Sequence, residues 1–431
     1  MDRWSLRLDA DPDGSTKRHL LNQGPLVPVW LPGGVPATAV THYRVIEYLH
    51  TRDLVTQDPA SWKPWASGRL SDTWPLRSWI TPTLPTRCPA SPTWGTLADD
   101  VGEARHRALR ALLTPVISGR LAQQHLLPRI RQTAAHLVRE LPIHADGDQA
   151  VDLRWHLALP LALDTLGALI GVPAHLRHDF QHACAPLLGA STDPHGHGSA
   201  SVLSRPWFQS LVDLCRRPDR GRRPSADLIT HLAAAQPRLA AAQPRLADAQ
   251  VVDLVMLVVA SGVLATTNLI TGTLHALFTH PDHYARITSS RPVWERVVNE
   301  TLRWAAPPLA APLYFTRIDL TLDGHHLPDG EALVMCRGAA NRDPQVFGPD
   351  ADRFDPFAER LLHLAFGRGL HSCLGAALAK QQAIAALGLL FRFHHPRLAI
   401  PADRLRPLSG PACQGWTELP VYLPAPDKAS T

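Results

Sequence analysis

The chain has 431 residues, of which 45% are hydrophobic and 19% are charged, so it can bury a sizeable core and is not a disordered protein. Its net charge of +5 comes mostly from scattered arginines, and no run of like charges indicates a nucleic-acid partner. The first 30 residues contain no apolar run long enough for a signal peptide or a membrane anchor, which predicts a cytoplasmic protein. The six cysteines show no CxxC spacing, which argues against a structural zinc site or a disulfide framework.

A β-hairpin is predicted at residues 26–41, where β-branched residues flank a Pro-Gly-Gly turn. From about residue 42 to residue 300 the sequence is largely helical, because apolar residues recur at spacings of three and four. Residues 51–99 break this pattern, since they are rich in proline and tryptophan, and so long a loop is usually functional. The segment AAAQPRL occurs twice in tandem at residues 233–246, and we interpret it as a lengthened connector.

A long apolar run at residues 251–278 predicts a buried helix, yet Ser261 and Gly262 interrupt its apolar character midway. The last third of the chain changes to short strands, predicted at residues 313–322 and 331–336. A final helix directly follows the segment that carries the clearest chemical signal.

That segment is HLAFGRGLHSCLGAALAK, residues 363–380, in which Gly367, Gly369 and Gly375 surround Cys373. Glycines let a flat ligand approach the backbone closely, and a cysteine at a helix N-terminus has its thiolate stabilised by the helix dipole and free amides. A glycine-rich turn with a chance cysteine is one alternative. A phosphate loop is another, but the GxxxxGK(S/T) spacing is absent. The complete string F-G-x-G-x-H-x-C-x-G is far more specific than a lone GxG.

This string resembles the haem-binding signature of the cytochrome P-450 superfamily, in its bacterial soluble class, and the resemblance extends over nearly the whole chain. It implies a single domain over residues 1–431, mostly α with a small β region, with haem b between the long helix and the cysteine loop. Cys373 takes the role of axial thiolate ligand to the haem iron, which favours O–O cleavage. About 20 residues at the N-terminus, and the C-terminal tail, are candidates for disorder.

The resemblance also implies a set of haem contacts: His106, Arg110, Phe366, Gly367, His371, Cys373 and Gly375. Of these, His106, Arg110 and His371 match the side chains that hold a haem propionate. Another propionate arginine is missing from its usual place, soon after the Pro-Leu that opens the strand following the Glu-Arg helix. Tyr314 stands there instead, and Arg317 is the only substitute that we identify in the sequence.

A second signature lies in the segment NETLR, where Glu300 and Arg303 are three residues apart on one helix face and can pair. The segments NRDP and DADRF follow it in the expected order. Together they resemble the structural triad of the family, with Arg353 as the third member.

The predicted substrate pocket follows from the same resemblance, in which the long helix crosses over the haem and small residues open a groove. Its predicted members are Trp79, Val258, Ser261, Gly262, Leu264, Ala265, Thr266, Ala310 and Ala311. The segments PPLAAP and GPACQGW, at residues 307–312 and 410–416, also map to substrate-contacting regions. The lining is mostly apolar and carries no fixed charge, which favours a flat, largely hydrophobic metabolite.

The long helix lacks the acid and alcohol that deliver protons to bound dioxygen in this family. Aligned on Gly262 and Asn268, the chain has Leu264 at the acid position and Ala265 at the alcohol position. An alternative register gives Thr266 the alcohol role and Ala265 the acid role. Neither register supplies a carboxylate, and a positioned acid is worth about 10² to 10⁴-fold in rate.

The leading hypothesis is a haem-thiolate enzyme that tailors a small, largely apolar secondary metabolite by nitrene transfer, cyclisation or rearrangement at iron, without the usual dioxygen proton relay. One alternative is a substrate-assisted monooxygenase or oxidative coupling enzyme that takes electrons from a ferredoxin and its reductase. An alternative of another class is a non-catalytic haem scaffold, although the complete cysteine loop argues against it. We expect a monomer with no nucleic-acid or membrane partner.

Overall fold

The computed structural model describes residues 4–6, 11, 14–70, 74, 76, 100–144, 150–190, 203–216, 227–239, 246, 248–290, 293–306, 310–360, 362–408 and 414–425. Two predictions concern residues outside these ranges: Trp79, as part of the substrate pocket, and the C-terminal tail from residue 426, as a candidate for disorder.

Helices dominate the described residues, as the spacing of apolar side chains predicts. They are α1 (Ser15–Asn22), α2 (Tyr43–Thr51), α3 (Lys63–Ala66), α4 (Asp100–Ile117), α5 (Arg120–His144), α6 (Leu159–Ile170), α7 (Arg177–Ala190), α8 (Arg205–Arg216), α9 (Leu228–Leu239), α10 (Asp248–Phe278), α11 (Pro281–Thr288), α12 (Trp294–Trp304), α13 (Arg337–Ala340), α14 (Pro344–Phe347) and α15 (Ala376–Phe393). A π-helical turn at Arg154–Ala158 leads directly into α6.

The strands are short: β1 (Trp4–Ser5), β2 (Leu26–Leu31), β3 (Val35–Val40), β4 (Val55–Thr56), β5 (Val151–Asp152), β6 (Ala310–Thr316), β7 (Leu320–Leu322), β8 (His325–Leu327), β9 (Ala332–Met335), β10 (Arg397–Leu398) and β11 (Pro420–Tyr422). They form a six-stranded sheet in the order β1-β2-β3-β9-β6-β4, a three-stranded sheet in the order β10-β11-β5, and the pair β7-β8. The predicted hairpin is confirmed, since β2 and β3 pair antiparallel with Leu31 opposite Val35. The prediction of a mostly α fold with a small β region is confirmed too.

The helix α10 is the centre of the helical core. It is buried along most of its 31 residues and packs against α6, α8, α12 and α15. Among the described residues it is the one helix long and apolar enough to span a membrane, but 72% of that apolar window is buried inside the fold. Its apolar character is therefore explained by its place in the core.

The interruption at Ser261 and Gly262 lies in the side chains of α10 and not in its backbone, which is helical throughout. The Ser261 hydroxyl donates to the Leu257 carbonyl oxygen at 2.7 Å, one turn earlier in the helix. A Cβ on Gly262 would lie 2.9 Å from Leu166 Cδ2 on α6. The small residue at 262 therefore admits a neighbouring helix, which corrects the expectation that Gly262 opens the groove beside the haem.

The described residues of the N-terminal segment belong to the fold. Trp4 in β1 pairs with Val29 in β2. The α1 residues Lys17 and Leu20 are buried, and the Lys17 ammonium donates to Gln414 Oε1 at 2.8 Å. The N-terminus is thereby fixed to the sheet and to a segment near the C-terminus.

The interpretation of the duplicated segment as a connector needs correction. The first copy of AAAQPRL forms the second half of α9 and not a connector, while of the second copy only Leu246 is described.

In the tryptophan-rich segment, Trp62 stacks on Phe315 with ring centroids 5.4 Å apart, and Trp74 donates to the Pro32 carbonyl oxygen at 2.7 Å. Both tryptophans belong to the core over the sheet, whereas residues 77–99 of this segment lie outside the described residues.

The predicted pair of Glu300 and Arg303 is present and buried, with side chains 3% and 0% exposed. Arg303 Nε and Nη2 donate to the two Glu300 carboxylate oxygens at 2.8 and 2.7 Å. The predicted third member is wrong, because the Arg353 side chain is 81% exposed and only its carbonyl oxygen accepts from Arg303. Arg360 takes that place, with Nη1 3.5 Å from Glu300 Oε1. The loop between these two arginines turns Arg360 inward and Arg353 outward.

Candidate active site

The cysteine loop closes on itself immediately before α15. The Cys373 amide donates to the Phe366 carbonyl oxygen at 2.8 Å, and Gly367 and Gly369 both have φ near 70°, the left-handed region that favours glycine. A Cβ on Gly369 would lie 3.1 Å from the His50 carbonyl oxygen, so the loop packs directly on the end of α2. Cys373 itself is exposed, which leaves it accessible to a ligand.

The electrostatic surroundings of the Cys373 thiol act in two directions. Although the residue is exposed, the surrounding loop desolvates its sulfur and raises the pKa of the thiol. The amides of Gly375 and Ala376 and the charges of Arg110 and Arg337 lower the pKa. Gly375 is the N-cap of α15, so the helix terminus supplies these amide donors. A bound metal ion would complete the deprotonation, since the thiolate is the form that ligates.

The three predicted propionate side chains lie together beside Cys373. The ring centroids of His106 and His371 are 4.6 Å apart. Arg110 donates from Nη1 to the Ser372 carbonyl oxygen at 2.6 Å and from Nη2 to the Ser372 hydroxyl at 2.9 Å. Burial lowers the pKa of the His371 ring to about 3. His106 Nε2 is buried and has no hydrogen-bond partner in the described structure.

Two residues that the sequence did not indicate extend this group. His50, on α2, lies with its ring 4.8 Å from that of Tyr314, and burial and then the charge of Arg337 lower its pKa to about 4. Both ring nitrogens of His50 and the Nε of Arg337 are buried without a partner among the described residues. The expected substitute, Arg317, instead places Nη2 3.7 Å from Asp53 Oδ1.

Comparisons with known proteins identify what such a site holds. The cytochrome P-450 family model matches residues 212–397. Cytochrome P-450 107B1 of Saccharopolyspora erythraea is 32% identical over 317 residues, which are 73% of this chain and 74% of the relative. The chain belongs to the cytochrome P-450 family. The 2-hydroxy-5-methyl-1-naphthoate 7-hydroxylase of Streptomyces carzinostaticus is 29% identical over 97% of both chains. A solved structure of CYP154C4 from Streptomyces superposes with a TM-score of 0.82, at 29% identity over 99% of both chains.

As a cytochrome P-450, the protein is a haem-thiolate oxidoreductase with haem b as its cofactor. The described residues fit that group. A buried donor without an acceptor costs about 1–3 kcal/mol, and the unpartnered nitrogens of His50, His106 and Arg337 therefore require acceptors. Haem b brings two carboxylates, and Cys373 is the exposed thiol beside the same cluster.

The helix α10 of this cytochrome P-450 exposes one narrow face. Near the middle of the helix, Leu257, Val258, Ser261, Gly262 and Ala265 are partly or fully exposed, at spacings of three and four residues. Val258, Ser261 and Ala265 agree with the predicted lining, whereas Gly262, Leu264 and Thr266 do not. Leu264 and Thr266 are each 4% exposed and pack into the core, because positions 264 and 266 lie about 100° to either side of position 265 on a helix.

The remaining predicted pocket residues are described only in part. Ala310 and Ala311 lie at the start of β6, with Ala310 opposite Met335 of β9, and their side chains are outside the described part. Of the predicted segment at residues 410–416, Trp416 packs on His275 of α10 with ring centroids 4.3 Å apart. A Cβ on Gly415 would lie 2.7 Å from the Asn268 side chain. This segment therefore closes on the C-terminal half of α10.

Proposed function

We propose that this cytochrome P-450 tailors a small, largely apolar secondary metabolite without an acid and alcohol of its own on α10. The observation that carries the proposal is the exposed face of α10, where Ala265 offers no polar group and the neighbouring Leu264 is buried. The acidic residues of α10 are Asp248 and Asp253, and both pair with arginines of α8. A general acid on this face of α10 is therefore missing.

The roles of the individual residues follow from their positions. Cys373 binds the haem iron, and His106, Arg110 and His371 hold a haem carboxylate. When bound, thiolate-ligated haem supplies the oxidative chemistry. The chain contributes an apolar surface at Ala265. The Ser261 hydroxyl donates to a backbone carbonyl oxygen and so does not offer its proton to a ligand.

Within this proposal we favour substrate-assisted monooxygenation, in which a substrate hydroxyl or an ordered water supplies the protons and a ferredoxin with its reductase supplies the electrons. The name of the naphthoate 7-hydroxylase, which aligns over 97% of this chain, supports hydroxylation of a flat aromatic compound. The apolar exposed face of α10 supports the same class of substrate. Oxidative coupling of two such rings has the same requirements.

A second candidate is chemistry at the haem without dioxygen, such as nitrene transfer, cyclisation or rearrangement of a substrate with its own N–O or O–O bond. The apolar Val258 and Ala265 favour it, because a wall without polar groups keeps water away from a reactive group. Such a substrate makes a proton relay unnecessary.

Labelled dioxygen separates the two candidates. The probe is 2-hydroxy-5-methyl-1-naphthoate, with binding followed by the shift of the Soret band and turnover supported by a surrogate ferredoxin and reductase. One labelled oxygen atom in each product molecule supports monooxygenation. Product formed under strict anaerobiosis from an analogue of the same ring with an N–O bond supports the second candidate. Holoenzyme that binds both probes and transforms neither contradicts the proposal.

We also propose that residues 1–431 act as one cytoplasmic domain and as a monomer. The Cys373 loop and α10 belong to one site, so neither half of the chain suffices alone. Light scattering on the purified holoenzyme should give the mass of one chain at micromolar concentration, and the mass of a dimer would contradict the monomer.

A further inference from the structure

A row of four aromatic and imidazole rings runs beside the cysteine loop. The ring centroids are 4.6 Å apart between His106 and His371, 6.3 Å between His371 and Tyr314, and 4.8 Å between Tyr314 and His50. The first pair comes from α4 and the cysteine loop, and the second pair from β6 and α2. Three distant parts of the chain therefore meet at the cysteine loop.

Each end of this row carries an arginine. At the His106 end, Arg110 is tied to Ser372 by two hydrogen bonds. At the His50 end, Arg337 Nη2 lies 3.5 Å from the Tyr314 hydroxyl. The Nε of Arg337 is buried without a partner in the described structure, as are both ring nitrogens of His50. The second end therefore has more unused donors than the first.

We propose that Arg337, with the Tyr314 hydroxyl and the His50 ring, binds the second carboxylate of the haem, while His106, Arg110 and His371 bind the first. Haem b carries two carboxylates, and two arginines beside one cysteine match them in number and charge. Gly367 makes room for this arginine, since a Cβ there would lie 3.3 Å from Arg337 Nη2. Arg317 is not the second anchor.

The inference rests on the proposed binding of the haem by Cys373, and haem release tests it directly. Holoenzyme is mixed with excess apomyoglobin, and the transfer of haem is followed by absorbance for the wild type and for Arg337→Leu, Arg337→Lys and Arg404→Leu. Arg404→Leu is the matched control, because Arg404 is exposed and its substitution removes the same charge far from the proposed site. Loss of a charge-assisted hydrogen bond should accelerate transfer about tenfold or more in Arg337→Leu. Arg337→Lys should lie in between, and Arg404→Leu should match the wild type.

Haem dimethyl ester, in which both carboxylates are blocked, is the chemical control. With the ester, Arg337→Leu and the wild type should release the cofactor at the same rate. Acceleration of the same size with haem b and with the ester overturns the proposal, because the arginine then acts through folding. Equal rates with haem b overturn it as well.

A further variant and a spectrum distinguish a failure of the proposed role of Arg337 from a failure of the proposed role of Cys373. Tyr314→Phe retains the ring and should accelerate haem b release about threefold, since it removes one neutral hydrogen bond. If Arg337→Leu does not fold, the other two variants decide: an unchanged release rate in both Tyr314→Phe and Arg337→Lys overturns the proposal. The carbon monoxide complex of the reduced wild type reports thiolate ligation. If that spectrum lacks the thiolate band, the proposed role of Cys373 fails, whereas a normal spectrum with equal release rates removes only the role of Arg337.

Discussion

The cysteine loop and the exposed face of α10 lie on the two sides of the same proposed haem site, and they differ in the chemistry they offer. The loop has an exposed thiol, helix-terminal amides and nearby arginines, which are groups that hold a metal-bound, anionic cofactor. The α10 face offers Val258, Ser261 and Ala265 and no free acid. Holding the cofactor and delivering protons thus depend on different elements, so one can change without the other.

The largest effect should come from the cysteine side. Cys373→Ala removes the only proposed ligand to the iron, so the red-shifted Soret band of the reduced carbon monoxide complex should disappear completely. Cys336→Ala is the matched control, because Cys336 is a buried thiol at the end of β9. It should keep the band. A thiolate band that survives in Cys373→Ala would place the ligand elsewhere.

The next effect concerns the buried pair of Glu300 and Arg303. Arg303→Leu leaves the buried Glu300 carboxylate without its main partner and should lower the free energy of unfolding by about 3–5 kcal/mol. Arg360→Leu should cost less but still about 1 kcal/mol, because Arg360 is 13% exposed and lies 3.5 Å from Glu300. Denaturant unfolding followed by circular dichroism measures both.

Arg353→Leu distinguishes the two assignments of the third member. The Arg353 side chain is 81% exposed, so its loss should change the free energy of unfolding by less than about 0.5 kcal/mol. If Arg353→Leu costs more than Arg360→Leu, the sequence-based assignment was right and the observed one is not.

Dioxygen consumption should rise when a polar group is introduced on the exposed face of α10. Ala265→Thr should raise dioxygen consumption with a bound probe about tenfold, because it adds a hydroxyl on the exposed face, whereas Leu264→Glu would bury a carboxylate in the core. Thr266→Ala is the control, since Thr266 is 4% exposed and faces the core. It should leave turnover unchanged. A large loss in Thr266→Ala, with no gain in Ala265→Thr, would favour the alternative register.

What the sequence could predict depends on how local each signal is. The cysteine loop was predictable because glycine conformations, the thiol and the following helix all lie within one short segment, residues 366–376. Arg337 and His50 gave no signal, because their roles arise only when α13, α2 and the cysteine loop pack together. Arg353 was chosen over Arg360 by its place in a pattern, and the direction of a loop side chain is not fixed by such a pattern.

The same reasoning explains the errors on α10. Helical periodicity selects Val258, Ser261, Gly262, Ala265 and Thr266, and the structure exposes all of these to some degree except Thr266, which is buried. Leu264 was added from the alignment with a family pattern, and it is buried as well. Periodicity placed Gly262 correctly on this face, but it could not show that the space left by its missing side chain is filled by Leu166 of α6.

The smallest effect should come from Gly262, and it tests whether this residue packs against α6 or opens a groove toward the haem. If Gly262 opened a groove toward the haem, Gly262→Ala would stabilise the helix by up to about 1 kcal/mol and weaken the Soret shift on ligand binding. In the structure its Cβ would lie 2.9 Å from Leu166 Cδ2 and 3.0 Å from Leu166 Cδ1, and overpacking of this kind costs about 1–3 kcal/mol. We therefore expect a net loss of about 1 kcal/mol in the free energy of unfolding, with ligand-induced Soret shifts unchanged. In a Leu166→Ala background the clash is absent, so Gly262→Ala should there become stabilising, and this reversal of sign is the decisive measurement. Stabilisation in both backgrounds, together with weaker ligand binding, would show that position 262 faces the haem side and not α6.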